Sequence, residues 1–541
     1  MSEFHELDET ELDALIARVS EAVEHNLALS VADMQLLLKA LVMLVELQQR
    51  MSDRDITLHK LRKLAGIVQS SEKLKAVVPE AAKAPKRRQT RDNPAKSPAE
   101  PVIHQRCHHA IEGLEKGQVC PECERGRLYK YDPAMVLRIS GQTPLTSVQH
   151  ILERLRCNTC GAYFTAEVSE EVKADGGVGQ KYTYSARALI GLHKHFAGLP
   201  FYRQQSLQQM FGVPISASTA FDQSEYLAND IDPVVQCLKR QAGSAVHYHL
   251  DDTRNRILNQ TTVEKPDRKT GKSKTRSGIY TSGVIATLAE GHECVLFQTN
   301  IGHAGEWIDE LLSTRRTDAP APILMSDALS SNAPSLKLEF IATFCNSHAR
   351  RQFVEVIEHF PDKVPWVLER YGVIWDNERH CKTQGFSPPQ RLEYHQAHSL
   401  PIMEELREWG QGELDHDRVE ANSGLGKAIG YFLRHYKELS GFCRYTGAQL
   451  DNNEMETMLK LVIRGRKNAM FYKTLAGAAI ADTIMSLIAT CQRAGINTFD
   501  YLVVLQRHAQ AVKRQPEQWL PWNYTTAVEA EKVAAAEKKA A

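Results

Sequence analysis

The switch from helical to strand patterning near residue 244 constrains this chain more than any other feature. Residues 182–240 read as helices, with amphipathic stretches at Tyr184–Phe196 and Tyr202–Phe211. Beyond them lie three runs of strand composition: Ala245-Val-His-Tyr-His-Leu250, Gly278-Ile-Tyr-Thr-Ser-Gly-Val-Ile-Ala286 and Cys294-Val-Leu-Phe-Gln298. A helical stretch from Ala304 to Leu312 follows, then two short apolar runs, Pro322-Ile-Leu-Met325 and Phe340-Ile-Ala-Thr-Phe-Cys345. Such runs bury their side chains by pairing into a sheet and covering it with helices, so the chain needs an α/β domain.

Three strands, a helix, a strand, a helix and a strand is the order of a ribonuclease H-like α/β domain, expected over 244–512. Residues from His348 to about 445 read as helical, which makes a helical insertion at about 354–445, and a last helical block spans 452–512. The Ala/Glu/Lys end of the C-terminal tail (513–541) is expected to fray after residue 525. Upstream, 171–243 has the outline of a helix-turn-helix-like DNA-binding region. The turn is Gly212-Val213-Pro214, and Ser216 or Ser218 could cap the next helix. Any small helical bundle gives the same outline.

The N-terminal region, 1–75, repeats leucines at three- and four-residue spacing, among them Leu37, Leu41, Leu44 and Leu47, with Ser30 and Asp33 as a helix-start pair. It suits either a helix packed on its own domain or a short coiled coil. Residues 76–103 form a linker rich in Pro, Ala and cations. Lys83, Lys86, Arg87, Arg88 and Arg91 either touch phosphates or are simply solvated.

Residues 104–170 carry two CxxC pairs, Cys120/Cys123 and Cys157/Cys160, out of 11 cysteines. Two intervening residues let both thiolates of a pair face one ion, and four thiolates make a closed tetrahedral site for a structural Zn²⁺. The region therefore reads as a zinc-ribbon module, with Cys107, His108 and His109 as spare ligands. The strands around it would come from Ile151–Leu155 and Tyr163–Phe164.

Formal net charge is +0, from 66 basic and 66 acidic residues, so any basic surface must come from local clustering. No apolar run approaches the roughly 20 residues of a membrane span, and the acidic N-terminus is unlike a secretory signal. The expectation is a cytoplasmic, nucleoid-associated protein with no membrane partner.

Asp251 follows the apolar run ending in Leu250, and Asp327 follows Ile323-Leu-Met-Ser326, where α/β sheets tend to place their sites. Glu456 opens a helix within Asp451-Asn-Asn-Glu-Met-Glu456. Clustered carboxylates suit two hard divalent ions. Spacing alone does not select these three among 66 acidic residues. Asp252 should point away from Asp251 along a strand. Glu454 and Glu456, about 200° apart around a helix, cannot both face the sheet, and periodicity does not rank them.

The chain resembles a DDE transposase of the insertion sequence sixty-six family, its large transposase protein. His249-Leu-Asp-Asp-Thr253 is similar to the family's His-Ala-Asp-Glu-Thr box, and Met325-Ser-Asp-Ala328 to the box of its second aspartate. Cys345-Asn-Ser-His-Ala-Arg-Arg-Gln-Phe353 resembles Cys-Trp-Ala-His-Ala-Arg-Arg-Lys-Phe, and Asp451-Asn-Asn-Glu-Met-Glu456 resembles Asp-Asn-Asn-x-x-Glu. Ile463-Arg-Gly-Arg-Lys-Asn468, Leu199-Pro-Phe-Tyr-Arg-Gln-Gln205 and Gly426-Lys-Ala-Ile-Gly-Tyr431 match further signatures, and the CxxC pairs match its zinc-finger segment. Asp252, Asn346-Ser347 and Ala469–Tyr472 depart from the family pattern.

The resemblance implies a transposase that cuts DNA and transfers the strand. Asp251, Asp327 and Glu456 would be the catalytic ligands of two Mg²⁺ (or Mn²⁺) ions. Arg203, His348, Arg350, Arg351, Arg464, Arg466 and Lys467 would contact DNA, although Arg350 and Arg351 are equally read as salt-bridged helix residues. The partners implied are element-end and target DNA, further copies of the chain, and accessory transposition proteins. The alternatives are a catalytically inactive zinc-dependent DNA-binding protein and a ribonuclease H-like nuclease that cuts without joining.

Overall fold

A computed structural model describes residues 163–540 with short gaps (259, 261, 267–272, 277, 330–331, 333 and 335–337), together with 143–156, 127–128, 116–119 and parts of 15–37. Strands β1 (Arg154–Arg156) and β2 (Tyr163–Thr165) pair antiparallel, and an isolated bridge joins Val119 to Arg127. These pairings flank the two CxxC motifs. Cys120, Cys123, Cys157 and Cys160 lie outside the described residues, as do Cys107, His108, His109 and the linker at 76–103. Near the N-terminus Ser30 Oγ accepts from Asp33 N at 3.1 Å and a helix runs on to Leu37, while the leucines beyond it are also outside the described residues.

The central sheet is built from β3 (His247–Asn255), β6 (Ile279–Thr287), β7 (Glu293–Asn300), β8 (Ile323–Ser326) and β9 (Ile341–Phe344), in the order β7-β6-β3-β8-β9. The first three are antiparallel neighbours, while β8 and β9 run parallel to β3. Between β3 and β6 an unanticipated hairpin forms from β4 (Val263–Pro266) and β5 (Ser273–Arg276). This mixed α/β sheet is compatible with a ribonuclease H-like domain. One expected element is missing: the described residues between β8 and β9 contain no helix. That segment includes Pro334 and runs of Ser and Asn, which favour turns over helix.

Helices α1 (Tyr184–His195), α2 (Phe201–Met210) and α3 (Ala217–Ala242) precede the sheet, and α4 (Ala304–Ser313) follows β7. Ser216 caps α3, its Oγ accepting from Thr219 N at 3.1 Å. Residues of α3 and α4 such as Leu238 and Ile308 bury one sheet face, with Tyr248, Leu250, Val284 and Leu324. The segment α5 (Asn346–Val354), α6 (Val364–Thr383), α7 (Pro388–His398), α8 (Leu400–Asp415) and α9 (Gly424–Arg434) has its own core around Leu368, Met403 and Phe432. Within it Glu378 accepts from Arg391 Nε at 2.8 Å and lies 2.9 Å from His395 Nε2; His395 Nδ1 contacts Ser399 Oγ at 2.9 Å. The order Ser–His–carboxylate looks nucleophilic, but Ser399 and His395 are completely buried, so the group braces helices.

Helix α10 (Asn453–Ala469) crosses the other face, where Met455 and Leu459 pack on Ile285 and Phe297. Helix α11 (Leu475–Ala494) runs beside edge strand β7 and supplies its missing acceptors. The amides of Val295, Phe297 and Thr299 donate to Thr490 Oγ1 (3.0 Å), Ser486 Oγ (2.9 Å) and Asp482 Oδ2 (2.6 Å). Four-residue steps keep these acceptors on one helical face, level with alternate strand amides. The strand edge is closed without another strand. Burial raises the Asp482 carboxyl to about 7, against the hydrogen bonds from Thr299 that favour its charged form. Thr490→Val should strand the Val295 amide and cost about 1–3 kcal/mol, read as a lower urea midpoint.

Leu475–Ala494 is also long and apolar enough to cross a membrane, which corrects the expectation that no such stretch exists. Most of the helix is buried and its polar ladder is spent on β7, as befits a core helix. The tail expected to fray is instead helix α13 (Tyr524–Ala540), after α12 (Thr498–Arg507). Ala, Glu and Lys are strong helix formers, and Tyr524 anchors the start against Tyr501, ring centroids 4.8 Å apart.

Candidate active site

Strand β3 does not end at Leu250 but continues to Asn255, so Asp251 is mid-strand. The reason is unequal pairing. β6 accompanies β3 throughout, whereas the β8 register covers only His247↔Ile323 to His249↔Met325. Beyond His249 the sheet opens on one side, and Asp251 stands in the opening. Asp327, just past Ser326, lies two residues beyond Met325 as Asp251 lies two beyond His249. Side-chain alternation therefore sends both to one face. Asn332 Nδ2 donates to Asp327 Oδ1 at 2.8 Å, and Leu329 N at 3.3 Å.

The same face receives α10. Asp251 pairs with Gly283, where a Cβ would come within 2.4 Å of Met455 Cε, so the glycine lets the helix settle close to the strand. Glu456, in the first turn, reaches the carboxylate group. Burial pushes the Asp251 carboxyl up to about 7, and the charges of Asp327, Asp252 and Glu456 add to this against the Asp252 amide, which donates at 2.8 Å. Asp251, Asp327 and Glu456 thus share one neighbourhood, with the charge of Asp252 felt from the next residue. Glu456 Oε1 is buried with no hydrogen-bond partner, 3.7 Å from His348 Nε2, and His348 Nδ1 is likewise unsatisfied. Among the described residues, no three His, Cys, Asp or Glu side chains stand close enough to hold a metal ion as placed. Mutually repelling carboxylates with an orphaned buried oxygen are nevertheless the donor set a hard divalent cation would draw together.

The competing acids are occupied elsewhere. Asp252 Oδ2 lies 2.8 Å from Nδ1 of His303, the N-cap residue of α4, on the opposite face. Glu454 accepts from Arg493 Nη2 of α11 at 2.9 Å, so Glu454 and Glu456 do point apart. Asp451 accepts from Trp375 Nε1 at 3.0 Å, and Asn452, the N-cap residue, makes no side-chain cap bond.

The cationic residues divide. His348, Arg350 and Arg351 are on α5, directly after β9; His348 Nε2 stands 3.7 Å from Glu456 Oε1, and both arginines are half-buried and engaged within the protein. Arg464 Nη1 donates to Phe196 O at 2.7 Å, while Arg466 Nη1 donates to Thr253 Oγ1 at 3.1 Å and to Arg254 O. These two arginines fasten α10 to the α1–α2 turn and to the end of β3. Lys467 is exposed, and so is Arg203 of α2, stacked over Tyr202 at 5.5 Å. Sequence reasoning missed the roles of Asn332, Cys345, Trp375 and Asn452. Asn452 and Cys345 left a signal, their places in the Asp-Asn-Asn and Cys-Asn-Ser-His motifs; Asn332 and Trp375 left none.

Three proteins of Sinorhizobium fredii (strain NBRC 101917 / NGR234), each described as an uncharacterized protein, are similar. The first, y4hP, is 24% identical over 399 residues, 70% of this chain and 68% of that protein. The second, y4jD, is 32% identical over 200 residues, 36% of this chain and 37% of that protein. The third, y4qI, is 23% identical over 354 residues, 62% of each. The chain thus spans as little as 37% of a relative's length. The model of the IS66 family of transposases matches residues 179–480, from before α1 into α11 and therefore across all three carboxylates. The match takes in more than half of the chain, which belongs to the IS66 transposase family.

Proposed function

We propose that this protein cuts DNA at the ends of an insertion sequence and joins the freed ends to target DNA, with Asp251, Asp327 and Glu456 as the ligands of two Mg²⁺ (or Mn²⁺) ions in a ribonuclease H-like domain. The observation that carries this reading is the convergence of Asp251, Asp327 and Glu456 where the sheet opens. The sheet order β7-β6-β3-β8-β9 and the family membership support it.

Two bound divalent cations supply Lewis-acid stabilisation of the attacking and leaving oxygens of an in-line displacement at phosphorus. The chain's part is to hold and orient. Asp251, on a strand paired on both flanks up to His249, would be one of the ligands that hold the ions. Asn332 keeps one oxygen of Asp327 directed, and Glu456 enters from α10 with one oxygen uncommitted. His348 Nε2, beside Glu456, is placed to hold a non-bridging phosphate oxygen. The same arrangement serves water in cleavage and a 3′-hydroxyl in joining. Arg203 on α2 and Lys467 on α10, both exposed, are available to DNA backbone. The paired cysteines, flanked by short antiparallel pairings, are read as a structural zinc site, and joining two ends calls for more than one copy of the chain.

The test is a strand-transfer assay with element-end DNA in Mg²⁺ and in EDTA. The expected result is nicked and joined product in Mg²⁺ alone. End binding without any nicking would leave a DNA-binding protein, and nicking without joining would leave a nuclease.

A further inference from the structure

Asn452 sits where a helix cap belongs and does something else. It is completely buried, at the N-cap position of α10. Its Nδ2 donates to Leu250 O at 2.8 Å, and its Oδ1 accepts from His249 Nδ1 at 2.9 Å. Both partners immediately precede Asp251 on β3. Its backbone amide points at Cys345 Sγ, 3.2 Å away, where β9 gives way to the helix bearing His348. Its carbonyl accepts from Glu456 N at 3.2 Å. One residue therefore ties the strand of the first carboxylate, the helix of the third and the start of α5. Its neighbours are pinned too: Asn346 Nδ2 donates to Leu450 O at 3.0 Å and Trp375 Nε1 to Asp451 Oδ2 at 3.0 Å.

We propose that Asn452 is a positioning residue that fixes the spacing of the Asp251 and Glu456 carboxylates and so sets the divalent-metal affinity of the pair. This rests on the reading of those carboxylates as metal ligands. The amide is needed for its two ends. A carbonyl on β3 requires a donor and an imidazole N–H requires an acceptor, at one buried point. Aspartate has the shape but turns a second oxygen against Leu250 O. An apolar side chain leaves both β3 groups unsatisfied. Groups that orient metal ligands change affinity by about 10–100-fold when removed, and a 1 Å misplacement costs about 10²-fold in rate.

The test uses the whole chain. Mn²⁺ binding is followed by electron paramagnetic resonance, cleavage is measured against Mg²⁺ concentration, and end-DNA binding is measured without metal. For Asn452→Asp the expected results are Mn²⁺ binding weaker by about 10-fold, cleavage slower by about 10²-fold with a higher Mg²⁺ midpoint, and unchanged DNA binding. A merely structural role would lower the melting temperature but leave the Mn²⁺ affinity of the folded protein alone. Should Asn452→Asp melt below the assay temperature, Asn452→Ser is measured instead, since it keeps a donor and an acceptor on a shorter side chain. A folded variant with wild-type Mn²⁺ affinity and cleavage overturns the proposal. Asp251→Asn is the control: if it also binds Mn²⁺ as wild type does, the metal-site reading itself has failed.

Discussion

Asp251→Asn protein is expected to bind element-end DNA as wild type does and to cut it at least about 10³-fold more slowly, because losing one carboxylate of the proposed metal-binding trio would remove several kcal/mol of transition-state stabilisation. Asp327→Asn and Glu456→Gln should behave alike, whereas Glu454→Gln should keep most activity, since Glu454 serves Arg493. Cleavage by Glu456→Gln with loss in Glu454→Gln would reverse the assignment.

Stability should move the other way. The Asp251 carboxyl is raised from 3.8 to about 7, so its neutral form is favoured in the folded protein. That contribution is complete below about 3.8 and lost as pH rises through about 7. In chelator at pH 8, Asp251→Asn should therefore be the more stable protein, by up to about 4 kcal/mol. Mg²⁺ should raise the melting temperature of wild type and not of the variant. Equal melting temperatures in chelator at pH 8 would argue against the crowding of carboxylates.

Glu378→Ala is expected to destabilise the helical segment α5–α9 by about 3–5 kcal/mol, the usual cost of removing one partner from a buried charged group. Glu378 is 7% exposed and Arg391 11%. Burial alone would raise the Glu378 carboxyl, but the His395 hydrogen bond and the Arg391 and Lys382 charges outweigh it and lower it to about 2. The stabilisation is full above its ordinary value of 4.5 and is lost as pH falls through about 2. The gap in urea midpoint between wild type and Glu378→Gln should be open at pH 7 and largely closed near pH 2. A gap independent of pH would show that charge has no part in it. Arg391 also donates to Ala448 O at 2.8 Å, so the same loss should loosen the approach to Asp451.

The five strands of the central sheet were legible along the chain because each holds a short apolar run, and burial requires such runs to pair; the polar β4–β5 hairpin was not. The limits of β3 were not legible. Its second half, Asp251-Asp-Thr-Arg-Asn255, is polar and reads as loop, and it stays extended only because β6 pairs with it to the end. The same limitation applies to Leu475–Ala494, apolar enough for a membrane and yet a core helix once β7 offers its amides to Ser486 and Thr490.

For the carboxylates, sequence determined the residue types and, through motif resemblance, the register that favours Glu456 over Glu454. The family followed from the same motifs and holds. Only the tertiary structure decided how these groups meet. β8 stops pairing with β3 at Met325, so the sheet opens beside Asp251; Arg493 draws Glu454 away; and Asn452 ties α10 to β3 from 202 residues away. Local pattern specifies which element a residue joins. Contacts across such separations depend on where whole elements pack, and no local signal records that.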